Sequence, residues 1–186
     1  NWVPDVYVGS PTPVTAFMAI CTKLAAVMAT VRFFFVALGA ERWSWQPLLA
    51  TVAVLTMVVG VLLAVTQTDI KRLLAYSSVS HAGFILVAVV GATVATQANP
   101  ASSVASILFY LAAYGFATIA AFAILTMVRD AAGEVHEISG WAGLGRKNPL
   151  LGAVFTVLML SFAGIPLTGG FIGKWEVFAA AWQGGY

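Results

Sequence analysis

The sequence predicts an all-α fold: a polytopic bundle of transmembrane helices, one of them discontinuous. Three observations carry this. Hydrophobic residues make up 61% of the chain and charged residues 9%, against about a quarter charged in soluble domains. Five apolar stretches are each long enough to cross a hydrocarbon core about 30 Å thick. The last of them carries Gly164, Pro166, Gly169 and Gly170 near its middle. Proline there removes a helix hydrogen bond and glycine accepts unusual backbone angles.

Taken in order, residues 1–12 read as a Pro/Gly-rich opening whose Trp2 and Tyr7 suit a membrane interface. Thr12 as N-cap and Pro13 at the first helical position start helix one, over residues 13–38. Residues 41–46 form a turn with two tryptophans, and helix two runs over 47–67. The charged turn Thr68-Asp-Ile-Lys-Arg72 leads into helix three, over 73–96. Asn99-Pro100 breaks the chain before helix four, over 102–128. Residues 129–147 are the longest polar loop, with a surface turn around Glu134-Val-His-Glu137. Asn148-Pro149 begins the fifth helix, over 149–182. Unbroken, it would be about 50 Å long, too long for the bilayer, so it is read as two half-helices with an unwound elbow over 164–170. Such an elbow is tolerated only where protein or a wet cavity solvates its backbone.

Loop charges set the topology. The side on which helix one starts holds Lys71, Arg72, Arg129, Arg146 and Lys147; the other holds Arg32 and Arg42. The positive-inside rule makes the first side cytoplasmic. The chain has no initiator methionine and no signal-peptide pattern, so it reads as a middle section of something longer.

Three ionisable groups fall inside the spans. Lys23 lies about 15 Å along helix one, at midplane and too deep to snorkel easily. His81, nine residues past Arg72, reaches a similar depth. Lys174 follows the elbow, in what reads as the first turn of the second half-helix, near the positive end of its dipole. A lysine at a helix centre costs about 3 kcal/mol to insert, which makes each a functional candidate. Ser77 sits one turn before His81 on the same helix face. Tyr110, Tyr114 and Thr118 form a polar stripe on helix four. The bland readings stay open beside these: Lys174 snorkelling to headgroups, His81 as a satisfied core histidine, and the tyrosine stripe as helix-to-helix glue. Ionisable groups spaced across the membrane's middle are what a proton relay needs, and histidine titrates near neutrality unaided.

Other chemistries find no support in the sequence. A single cysteine, Cys21, excludes a disulfide framework or a cysteine-ligated cluster within the chain, and two separated histidines make no metal site. No basic run suggests nucleic acid. Gly169-Gly-Phe-Ile-Gly-Lys174 lacks the first glycine and the final Ser/Thr of a phosphate-binding loop, with Thr168 and Trp175 in those places.

The stretches Trp2-Val-Pro-Asp-Val-Tyr7, Gly9-Ser-Pro-Thr-Pro-Val-Thr-Ala-Phe17, Thr68-Asp-Ile-Lys-Arg-Leu-Leu-Ala-Tyr-Ser-Ser-Val-Ser-His81 and Ala163-Gly-Ile-Pro-Leu-Thr-Gly-Gly-Phe-Ile-Gly-Lys-Trp175 closely resemble the antiporter-like membrane subunits of respiratory complex I. The Pro-Asp-Val-Tyr opening is similar to that of the N-type subunits. The resemblance implies a fold of two inverted five-helix repeats, each with a broken helix, of which this chain holds the second. It implies that Lys23 is the central relay lysine, Lys174 the lysine of the exit half-channel, and His81 a histidine between them. Ser77, Tyr110, Tyr114 and Thr168 are further candidates for lining that channel.

The expected function is therefore proton translocation within an NADH:quinone oxidoreductase in the bacterial plasma membrane. Neighbouring antiporter-like and small membrane subunits would be the partners. The resemblance places flavin, iron–sulfur clusters and quinone in other subunits and no cofactor in this chain. The rivals are a Mrp-type cation/proton antiporter, a membrane-bound hydrogenase subunit, and a structural spacer that does not pump.

Overall fold

The computed structural model describes residues 2–95, 100–131 and 133–183. The opening segment, expected to be irregular, forms a short helix, α1 (Val3–Gly9). Pro4 and Asp5 in its first turn explain this, since proline loses no bond there and an acid complements the dipole. Tyr7 does not face a membrane interface: it is buried, at 4% exposure. Helix α2 (Thr12–Arg32) continues through a π-helical turn, Phe33–Ala37. Thr12 does not cap it. The helix begins on Thr12 itself, and the Thr12 hydroxyl donates to the Glu134 carboxylate instead.

Helix α3 (Arg42–Val65) starts five residues before the expected Pro47 and absorbs the tryptophan turn. Trp45 is buried and its Nε1 donates to the Leu38 carbonyl at 2.9 Å, which anchors the early start. Helix α4 (Ile70–Ala95) also begins early, because Asp69 accepts the Arg72 backbone N–H at 2.9 Å as an N-cap. Residues 96–99, where helix three was expected to end and break, lie outside the described residues. Helix α5 (Pro100–Met127) opens on Pro100.

The polar loop folds into a two-stranded antiparallel hairpin, β1 (Arg129–Asp130) with β2 (Gly133–Glu134), then a 3₁₀ turn and α6 (Leu144–Lys147). Glu134 thus belongs to a strand rather than a surface turn, and Glu137 makes a β-bridge to Asp69.

The last apolar stretch is broken. Helix α7 (Pro149–Ala163) and helix α8 (Gly169–Gln183) are separated by five non-helical residues. Each half is about 22 Å long at 1.5 Å per residue. The unwound residues are 164–168; Gly169 and Gly170, expected in the elbow, begin α8.

Helices α2 to α5 are each long and apolar enough to cross a membrane. Helix α4 packs against α1, α3, α5 and α8, while α5 also packs against α2, α7 and α8. Two buried clusters form between them. One holds Ile85, Val89, Ile107, Tyr110, Tyr114 and Val177; the other holds Tyr7, Leu74, Phe122 and Leu125. Helix α3 keeps Val54, Leu55, Val58, Leu62 and Val65 exposed, a face suited to lipid or another apolar surface.

Candidate proton-relay site

Helix α2 aims Lys23 at α4. Its Nζ donates to Ser78 Oγ at 2.6 Å and to the Ser78 carbonyl at 3.0 Å. The same ammonium lies over the Tyr114 ring of α5, 4.3 Å from its centroid, so a cation–π contact supplements two hydrogen bonds. Ser77, the residue expected on this face, is only half-buried; its neighbour Ser78 takes the role. Sequence could not separate them, because residues three and four positions before His81 share its helix face equally well.

His81, three residues beyond Ser78, is buried at 5% exposure. Its Nδ1 lies 2.5 Å from the Tyr110 hydroxyl, and its ring centroid is 4.5 Å from that of Tyr114. Tyr110 and Tyr114 are near-parallel, at 5°. Tyr114 touches both Lys23 and His81, and Tyr110 bonds His81. Thr118, the last of the stripe, turns back on its own helix and donates to the Tyr114 carbonyl at 2.8 Å.

Helix α7 ends because Gly164 adopts a left-handed conformation, φ 80°. The Ile165 N–H then reaches back to the Leu160 carbonyl at 3.0 Å, satisfying an end group in the Schellman manner. Pro166 follows, with no N–H to continue the ladder. The Thr168 hydroxyl accepts the Phe171 N–H at 3.4 Å and donates to the Ile165 carbonyl at 2.7 Å. It serves as the cap of α8 and does not line the cavity described below. The Gly170 N–H donates to Ser161 Oγ at 3.2 Å across the break. A Cβ on Gly170 would stand 1.8 Å from the Ser161 carbonyl oxygen, so only glycine lets the half-helices approach this closely.

Lys174 sits in the second turn of α8, not the first. Helical side chains lean toward the N-terminus, and this one crosses the break to the open end of α7. Its Nζ donates to the carbonyls of Phe162 and Ala163 at 2.8 and 3.1 Å. The ammonium is thus held at the negative end of α7, the opposite of the dipole environment expected from α8 alone. It also lies 4.9 Å from the Phe84 ring centroid, and Phe84 in turn contacts His81.

Between His81 and the break lies a cavity of about 10 Å³, lined by His81, Tyr110, Tyr114, Ser161, Phe162 and Gly170 among others. That is room for about one water, and its walls offer polar partners. The structure therefore gathers Lys23, His81, Tyr110 and Tyr114 into one contiguous set. Lys174 stands beside it, separated by Phe84 and Phe162 and joined through the broken backbone. Both lysines are within electrostatic reach of His81. Ser78, Ser161, Phe84 and Phe162 were not singled out in the sequence. For Ser161 the signal was a hydroxyl closing an apolar run just before the Gly/Pro break; for the phenylalanines there was none.

A family model described as NADH:quinone oxidoreductase/Mrp antiporter, TM, matches residues 1–186. Subunit N of the NADH-quinone oxidoreductase of a Nocardioides species is 54% identical over 187 aligned residues, covering 100% of this chain and 35% of the relative. The corresponding subunit of Rhodococcus opacus is 57% identical, with 100% and 33% covered. Among solved structures, a chain of respiratory complex I from Thermus thermophilus superposes with a TM-score of 0.81 at 41% identity, over 100% of this chain and 38% of that one. A chain of an archaeal membrane-bound sulfane sulfur reductase gives a TM-score of 0.84 at 27% identity, with 100% and 37% covered. The chain spans about a third of the length of these relatives.

Proposed function

The chain belongs to the NADH:quinone oxidoreductase/Mrp antiporter transmembrane family, and from that premise we propose that it moves protons across the bacterial plasma membrane as part of an N-type subunit of NADH:quinone oxidoreductase. The observation that carries the reading is the continuous contact set Ser78–Lys23–Tyr114–His81–Tyr110 inside an apolar bundle. Hydroxyls and an imidazole bridge one buried ammonium toward a helix break, beyond which a second ammonium is held. A bundle that needed only to fill space would not keep two lysines inside its helices.

In this mechanism Lys23, bonded to Ser78 and lying against the Tyr114 ring, loads a proton and releases it toward His81. His81 and Tyr110 present it to the cavity at the break, which has room for about one water and is lined by Phe162, the residue whose carbonyl Lys174 holds. Phe84 and Phe162 limit water between His81 and Lys174, which opposes leakage. Against a membrane potential of 100 mV each proton costs about 2.3 kcal/mol, so the transfer must be gated, and electron transfer in companion subunits would supply the energy. Flavin, iron–sulfur clusters and quinone belong to those companions, among them further antiporter-like and small membrane subunits, and this chain carries no redox chemistry.

Identity to the N subunits, 54% and 57%, well above the 27% to the sulfane sulfur reductase, favours the NADH:quinone oxidoreductase over that other respiratory membrane complex. The test is to purify the complete subunit from its own membrane and identify what accompanies it. Peripheral NADH-oxidising subunits are expected; a set of Mrp antiporter subunits alone would sink the assignment.

A further inference from the structure

The Phe162 carbonyl lacks a helical partner for a reason written in the sequence. The residue four positions on is Pro166, which has no N–H to donate. Lys174 supplies the donor instead, with Nζ 2.8 Å from the Phe162 oxygen. No carboxylate pairs with Lys174 among the described residues; Glu176, two residues on, accepts the Ser106 hydroxyl of α5 at 3.4 Å. The ammonium is thus held by carbonyls, and hydrogen bonds from a charged donor are about twice as strong as neutral ones.

The ring of the same residue reaches the relay. Its centroid lies 5.8 Å from that of His81, edge-on, and 5.6 Å from that of Tyr114. It packs against both buried clusters of the bundle and lines the one-water cavity beside His81. Phe84, the other ring between His81 and Lys174, is held differently, edge-on against Phe178 of α8 at 5.7 Å. Phe162 alone therefore joins Lys174, through its backbone, to His81 and Tyr114, through its ring. The other titratable groups around this junction are His81 on α4 and Tyr110 and Tyr114 on α5, with Lys23 of α2 over the Tyr114 ring.

We infer that Phe162 is a water gate between His81 and Lys174, and that the charge on Lys174 holds it shut. The inference rests on the proton-carrying reading of the relay. While Lys174 is an ammonium, its bonds to the Phe162 and Ala163 carbonyls fix the last turn of α7 and keep the ring against His81 and Tyr114. When the Lys174 proton leaves, the neutral amine grips the carbonyls less tightly, that turn relaxes, and the ring gives way to water. A proton from the His81 side then re-forms the ammonium, and the gate closes. One N–H bond of Lys174 breaks and one forms in each cycle, and no electrons move. A proton already on Lys174 has no water path back to His81.

The test uses the intact complex in sealed vesicles and reads two quantities. The first is passive proton conductance without an electron donor, for Phe162→Ala and Phe162→Leu beside the wild type. Both variants keep the backbone carbonyl, and Phe162→Leu keeps an apolar side chain should Phe162→Ala fail to assemble. Conductance should rise several-fold while NADH oxidation continues. The second is hydrogen–deuterium exchange of the backbone over residues 160–165, for Lys174→Met and Lys174→Arg. Exchange should rise several-fold in Lys174→Met, which has neither charge nor donor, and stay near the wild-type rate in Lys174→Arg, which has both. A ring that only fills space would leave the exchange indifferent to that charge. Wild-type conductance in the assembled Phe162 variants, or equal exchange in the two Lys174 variants, overturns the gate. Pumping by Lys23→Ala is measured alongside. If it stalls while the Phe162 variants stay tight, the gate alone is wrong; if it matches wild type, the relay reading falls and the gate with it.

Discussion

The Lys174 ammonium donates to the Phe162 carbonyl at 2.8 Å, across the break that separates α7 from α8. This bond explains why a lysine stands just past the break. Ending α7 at Gly164 leaves carbonyls without helical partners, and in a membrane such groups cost several kcal/mol unless satisfied. Lys174 satisfies two of them with one charge. Whenever Lys174 gives up its proton, the ammonium loses its charge and its grip on the α7 terminus weakens. Charge state and backbone geometry at the break are therefore coupled.

We predict that Tyr110→Phe lowers proton pumping while the subunit still assembles. The variant keeps the ring that fills the buried cluster but removes the hydroxyl bonded to His81 at 2.5 Å. A buried ring nitrogen left without a partner costs about 1–3 kcal/mol. Pumping per electron measured in vesicles, beside the amount of assembled complex, checks this; wild-type pumping would place Tyr110 in packing alone.

Ser78→Ala and Ser77→Ala separate two neighbouring hydroxyls that sequence could not rank. Ser78 Oγ is the 2.6 Å acceptor of Lys23, and alanine there leaves the ammonium the Ser78 carbonyl and the Tyr114 ring. Pumping should drop with Ser78→Ala and hold with Ser77→Ala. The reverse ranking in vesicle assays would mean that Lys23 uses a different partner from the one assigned.

At the break, Gly170→Ala should be far worse than Gly169→Ala. The added methyl at Gly170 would collide with the Ser161 carbonyl oxygen at 1.8 Å, whereas at Gly169 the nearest atom is an Ala113 methyl carbon at 3.8 Å. Overpacking of this kind costs about 1–3 kcal/mol or more. Thermal unfolding of the purified complex should show a clear loss for Gly170→Ala and little for Gly169→Ala; equal stability would mean that the half-helices are not pressed together there.

Much of this architecture was legible in the sequence, and the reasons for the remainder are physical. Apolar runs and the Gly164–Pro166 pair announced the spans and the break, because bilayer thickness and the lost proline donor act on any backbone. Lys23, His81 and Lys174 stood out because ionisable groups are expensive in hydrocarbon. Early helix starts at Arg42 and Ile70 were hidden, since they depend on Trp45 meeting Leu38 and on Asp69 turning inward to cap. The choice of Ser78 over Ser77 depends on how α2 is rotated against α4, and local periodicity does not contain that. Tyr7 looked like an interface anchor because the same amphipathic ring suits a headgroup layer or a buried hydroxyl equally well. The dipole environment of Lys174 is not legible locally either, because it depends on where α8 starts, at Gly169, and on the reach back to the α7 carbonyls.

The central claim is that Lys174 exchanges a proton in each cycle and is more than a fixed positive cap on α7. Arginine separates the two roles, since it can donate to the same carbonyls but is not deprotonated in proteins. The decisive measurement is proton translocation per electron in vesicles containing the intact complex, for wild type, Lys174→Arg and Lys174→Ala. The account predicts that both variants fall well below the wild-type ratio. Full pumping by Lys174→Arg together with failure of Lys174→Ala would contradict it and leave Lys174 as a structural counter-charge at the helix break.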